Sequence, residues 1–159
     1  MKASSELHEF NSEIIGHTVE VSVVLPPNFE QISDSLPLLI NLHGGGGDRS
    51  FLLRSMDIWE SLWKEEELPP LVMISFSSGA GSWYRGNWEK FVVDELPNWA
   101  AKKFNTRTDR EGSLLTGVSM GGYGSLKIGF KYPERFKAIA PMEPAIEPSI
   151  HREEGNKRN

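Results

Sequence analysis

His17–Leu25 (HTVEVSVVL) alternates polar and apolar residues, the period of a strand with one covered face. Pro26-Pro27-Asn28 ends it. Leu36–Leu42 (LPLLINL) is a continuous apolar run and predicts a strand buried on both faces. Phe51, Leu52, Met56, Trp59 and Trp63 then recur near helical spacing, so a helix is expected over Phe51–Lys64. Glu65-Glu66-Glu67 reads as its solvated end, and Pro69-Pro70 breaks it before a second buried strand, Leu71–Ser75. Ser77–Asn87 is a Gly- and Ser-rich loop carrying two aromatics. Trp88–Phe104 has helical periodicity, with a kink or break expected at Pro97. Ser113–Gly117 predicts a strand, Met120–Tyr132 a helix stopped before Pro133, and Phe136–Pro141 the last strand. The polar tail from Glu147 shows no period and is expected to be disordered over 148–159.

Repeated strand–helix alternation of this kind predicts the α/β class: one domain over 1–159, a mostly parallel sheet and helices on both faces. The chain has 159 residues, enough for one core. Its net charge of −5 and lack of a basic run exclude nucleic acid and anionic membrane as expected partners. No cysteine is present, which removes disulfides, thiolate metal sites and a thiol nucleophile. The four histidines have no metal-ligand spacing, so no metal and no cofactor is expected. The polar N-terminus shows no apolar leader, and no stretch approaches the roughly 18 apolar residues of a membrane span. A cytoplasmic location is the resulting expectation.

Of the 15 glycines, 11 fall in three clusters: Gly44–Gly47, Gly79–Gly86 and Gly117–Gly124. Each follows a predicted buried strand, the place where parallel α/β sheets bind ligands. Gly117-Val118-Ser119-Met120-Gly121 is G-x-S-x-G between a strand and a helix. That context suits a nucleophile elbow, in which small neighbours permit a tight turn and Ser119 Oγ is presented at a helix N-terminus. A glycine-rich turn that binds phosphate or only packs is the plainer alternative. His43-Gly44-Gly45-Gly46-Gly47-Asp48 can turn backbone N–H groups toward a ligand, as an oxyanion hole requires. It lacks the Gly-Lys-Ser/Thr of a phosphate-binding loop. His43 is read as shaping this loop rather than as the catalytic base.

LINLHGGGGD, SWYRGNWEKFVVDELPNWAAKKFNT and LLTGVSMGGYGSLKIGFKYPERFKAIAP together resemble the esterase D-like branch of the α/β-hydrolases. That branch includes S-formylglutathione hydrolases, feruloyl and acetyl esterases, and mycolyltransferases. The resemblance runs from about Val19 to Pro148. It implies an α/β-hydrolase fold and a serine carboxylesterase acting on small ester or thioester substrates through an acyl-enzyme on Ser119. It further implies that the N–H groups of Met120 and Gly45 (or Gly44) hold the oxyanion. Trp83, Tyr84 and Trp88 fall where the branch places a segment near the pocket; packing is the competing role. His43, Gly44, Trp83 and Tyr84 are thus the candidate substrate-binding residues.

The catalytic triad of this superfamily runs Ser, acid, His in chain order. Only 40 residues follow Ser119, no aspartate follows Asp109, and His151 is the only later histidine. Glu143 and His151 have the order required of acid and base; the competing reading makes Glu143 a strand exit and His151 an exposed tail residue. The expectation is a chain lacking the fold's C-terminal strands and weakly active by itself. Its last strand would be an exposed edge open to self-association. Two other functions compete: a non-catalytic fragment or pseudoenzyme binding a partner through that edge, and an acyltransferase.

Overall fold

The computed structural model describes residues 2–146. Six strands form one sheet in the order β1-β2-β4-β3-β5-β6. They are β1 (Ser4–Asn11), β2 (Thr18–Leu25), β3 (Leu38–Leu42), β4 (Val72–Phe76), β5 (Ser113–Val118) and β6 (Ala138–Met142). β4, β3, β5 and β6 run parallel, while β1 and β2 form an antiparallel hairpin attached to β4. The sheet is therefore mixed, with the parallel part at its centre.

β1 lies in the segment read as a featureless polar N-terminus. Its eight residues, SSELHEFN, hold only two large apolar side chains, and the pleat sends them to opposite faces. Phe10 stacks on Trp99 with ring centroids 5.4 Å apart, whereas Leu7 remains 59% exposed. An edge strand held by a full ladder to β2 needs no apolar alternation of its own.

Helix α1 (Met56–Lys64), entered through a 3₁₀ segment Arg49–Ser55, covers one face of the sheet. Leu52, Met56, Trp59 and Trp63 pack there against Val24, Leu71 and Met73. The opposite face carries the larger core, where Val21, Ile74 and Phe76 meet Phe91, Leu96 and Ile128. Burial of one such side chain contributes roughly 1.5–3 kcal/mol. These last three residues come from a composite helix and from α4 (Met120–Lys131). The composite consists of α2 (Asn87–Lys90), one π-helical turn (Phe91–Glu95) and α3 (Leu96–Phe104). Pro97 therefore does not stop the helix. It has no N–H for the Val93 carbonyl four residues earlier, and the Arg135 guanidinium donates to that carbonyl instead.

β6 starts two residues later than the apolar run suggests, because Phe136 turns into the core while Lys137 N–H donates to Ser113 O. Among the described residues β6 pairs only with β5, and Ala138, Ala140 and Met142 are exposed. No described helix is long and apolar enough to cross a membrane. The tail expected to be disordered over 148–159 lies outside the described residues.

Candidate active site

The segments that leave β3, β4, β5 and β6 emerge at one end of four adjacent parallel strands. They are His43–Gly47, Ser77–Gly86, Ser119 and Glu143–Ile146. Topology alone thus gathers all three glycine clusters.

Ser119 occupies φ 53°, ψ −112°, a region that a residue with a Cβ enters only under constraint, at a cost of about 1–3 kcal/mol. Three backbone bonds hold it there. Its N–H donates to Met142 O (3.0 Å), and its carbonyl accepts from Tyr123 N–H (2.9 Å) and Ala145 N–H (3.1 Å). The residue is exposed, and no described side chain bonds its Oγ. The flanking glycines are steric requirements. A Cβ on Gly117 would lie 2.4 Å from Gly121 O, and one on Gly121 only 2.0 Å from Leu42 O. The first turn of α4 is pressed onto the end of β3, and only hydrogen fits between them.

Met120 is the first residue of α4, so its N–H has no acceptor within the helix. Gly44 lies beside Ser119: a Cβ on it would be 3.6 Å from Ser119 Cβ. Gly47 N–H closes the turn onto Gly44 O at 3.0 Å, while Gly45 is exposed on its crest. The start of α4 and the glycine turn after β3 thus border one exposed hydroxyl.

His43 and Tyr84 do not present side chains to a ligand, contrary to their expectation as substrate-binding residues. Both are 0% exposed. Ser78 N–H donates to His43 Nε2 (3.0 Å), so the ring proton sits on Nδ1 and donates to Gly44 O (2.7 Å). Burial pushes the imidazole pKa below its ordinary value, against the Gly44 carbonyl bond and the Asp48 charge. A neutral ring with both nitrogens engaged is no general base; it ties the β3 loop to the β4 loop. Tyr84 OH completes the tie by donating to His43 O (2.9 Å), and burial raises its pKa further above the ordinary range. Trp83 and Trp88 are half-buried; Trp88 stacks on Phe76, and Trp83 meets Tyr123 edge-on.

Glu143 stands at the same rim, at φ 42°, exposed and without a described hydrogen-bond partner. Its turn brings Pro144 onto Gly122, where an added Cβ would lie 2.9 Å from Pro144 Cα. Nothing described brings an acid and a histidine together beside Ser119. His151 lies outside the described residues. Arg85 and Tyr123 lie within the segments that carry the family resemblance, but nothing in the periodicity singled them out.

An esterase family model, described as "Putative esterase", matches residues 12–157. The chain belongs to this esterase family. It is 30% identical over 142 residues to Esterase Rv1288 of Mycobacterium tuberculosis, covering 84% of this chain and 30% of that protein. It is also 39% identical over 59 residues to S-formylglutathione hydrolase of Paracoccus denitrificans, covering 37% of this chain and 20% of that one. Among solved structures, a ferulic acid esterase superposes with TM-score 0.81 at 21% identity, over 90% of this chain and 58% of that one. The Staphylococcus aureus serine hydrolase FphF gives 0.78 at 21% identity, over 92% and 59%. The fold of this esterase-family chain is that of α/β-hydrolase esterases. It spans under a third of the mycobacterial relative and under two thirds of these structures.

Proposed function

We propose that this chain carries the nucleophile and oxyanion half of a serine carboxylesterase. The supporting observation is Ser119 itself: an exposed hydroxyl on a backbone held at φ 53°, bordered by the Met120 N–H and the Gly44–Gly45 turn. Ser119 Oγ attacks an ester or thioester carbonyl, and the carbonyl oxygen takes up the charge against the Met120 and Gly45 N–H groups. The acyl group passes to Ser119, the alcohol or thiol leaves with a proton, and water then releases the acid. The substrates are small esters or thioesters, and the site works without a metal.

The described residues supply no base for this attack. His151, with Glu143 as its acid, is the pair that the chain order offers. Hydrolysis of p-nitrophenyl acetate by the purified chain, beside Ser119→Ala and His151→Ala, tests the reading. Ser119-dependent turnover that His151→Ala lowers by about 10²-fold or more is expected if the pair acts. Equal rates for the wild type and Ser119→Ala overturn the catalytic reading.

The absence of a base among the described residues, with the single-sided pairing of β6, favours one second reading: a non-catalytic module that associates through the β6 edge. A concentration-dependent sedimentation coefficient together with no Ser119-dependent turnover would select it.

A further inference from the structure

Arg85 is exposed on the loop that leaves β4, and its guanidinium lies beside two aromatic rings with no described carboxylate partner. Its Cζ lies 5.4 Å from the Tyr123 ring centroid and 5.9 Å from that of Trp83. The two rings meet edge to face, with centroids 5.6 Å apart and planes at 82°. One guanidinium nitrogen, Nη2, donates to Tyr123 Oη at 3.3 Å. The remaining donors of the fork have no described acceptor.

That vacancy is unusual on this chain, which carries 22 acidic against 17 basic residues. Arg49, Arg107, Arg110 and Arg135 each pair with a carboxylate, to Glu20, Asp109, Glu111 and Asp94 respectively. Arg54 donates to Ser50 Oγ. Among the described arginines, Arg85 is the one set beside two aromatic rings, and its guanidinium keeps N–H groups free for an anionic acceptor.

The platform is rigid and close to the nucleophile. Tyr123 is one turn along α4 from Ser119, and its N–H donates to Ser119 O at 2.9 Å. Trp83 and Tyr84 both have φ 48°, a conformation maintained by the buried Tyr84 ring packed on Gly124, where an added Cβ would lie 2.6 Å from Tyr84 Cδ2.

We propose that Arg85, supported by Trp83 and Tyr123, is an anion-recognition subsite that selects esters or thioesters bearing a carboxylate near the scissile carbonyl. This rests on the esterase reading for its place in catalysis, but the binding it predicts is measurable without turnover. The Ser119→Ala chain is titrated with two matched pairs while NMR shifts of the tryptophan indoles are followed. The first pair is 3-acetoxybenzoate and 3-acetoxybenzamide, with the charge on the leaving group. The second is monophenyl glutarate and its terminal amide, with the charge on the acyl group.

The charged member of at least one pair should bind about tenfold more tightly than its amide. Which pair discriminates tells on which side of the ester the carboxylate sits. Adding Arg85→Gln should abolish the preference, Arg85→Lys should retain part of it, and high salt should weaken it. Equal affinities in both pairs, no binding of any probe, or a preference that survives Arg85→Gln overturns the proposal. Loss of Ser119-dependent turnover in the wild type would overturn the esterase reading alone.

Discussion

The two rims that flank Ser119 are built differently. On the β3–β4 side, His43, Ser78 and Tyr84 are buried: His43 accepts from Ser78 N–H at Nε2 and from Tyr84 OH at its carbonyl, and its Nδ1–H donates to Gly44 O. Behind them, α2 is fastened to α4 through Glu89, a buried carboxylate that accepts from Lys127, Lys131 and Tyr132. On the β6 side, Glu143 has no described partner, while Met142 and Ile146 are 44% and 62% exposed. The contrast separates two tasks. Holding a strained serine turn against the end of β3 requires close packing, and the described residues provide it. Proton transfer requires a held base, and that is the task the described part of the β6 rim leaves open.

The harshest test of the packed side is Gly121→Ala. The intruding Cβ meets the Leu42 carbonyl, which belongs to a paired central strand and cannot yield. A loss of about 3–5 kcal/mol in chemical denaturation is expected. Gly45→Ala, whose Cβ would meet nothing nearer than 3.9 Å, should stay within about 0.5 kcal/mol of wild type. Similar losses in both would show that the turn is not pressed onto β3.

A smaller effect is expected at Glu89. Burial alone would raise this carboxyl, but the bonds from Lys127, Lys131 and Tyr132 outweigh it and hold the pKa at about 2, against an ordinary 4.5. The folded pKa is depressed, so the stabilisation is complete above pH 4.5 and is lost as pH falls toward 2. Lys131 is half-exposed, so solvent screening leaves a contribution on the order of 2 kcal/mol. Glu89→Gln should lose that much at pH 7 and converge on wild type in acid. A constant difference across the pH range would contradict the assignment.

The smallest effect concerns the open side. Glu143→Gly removes a side chain from φ 42° and should stabilise the chain by about 0.5–1 kcal/mol. The same variant removes the candidate acid, so a gain in stability together with loss of Ser119-dependent turnover would make Glu143 part of the reaction. A gain in stability with unchanged turnover would leave it as a strand exit.

Local chemistry was enough to reveal much of this site. G-x-S-x-G between a strand and a helix and the glycine run after β3 mark a tight serine turn beside a glycine loop, because close backbone approach demands glycine at particular spacings. Apolar runs revealed β2, β3, β4 and β5, since buried strands carry their own signal. β1 escaped notice because an edge strand draws its order from its partner's ladder rather than from its own apolar residues. The continuation of the helix through Pro97 depends on Arg135, 38 residues away in sequence, reaching the Val93 carbonyl.

The sequence by itself therefore determined the α/β class, the tight serine turn between strand and helix and the steric need for its glycines, all of which follow from covalent geometry and nearby residues. The tertiary structure decided which side chains face that turn. Only folding buries His43 as a neutral tie, seats Tyr84 beneath the rim, and brings Arg85 against Tyr123. Those relations join residues 35 to 41 positions apart, and no local period encodes them.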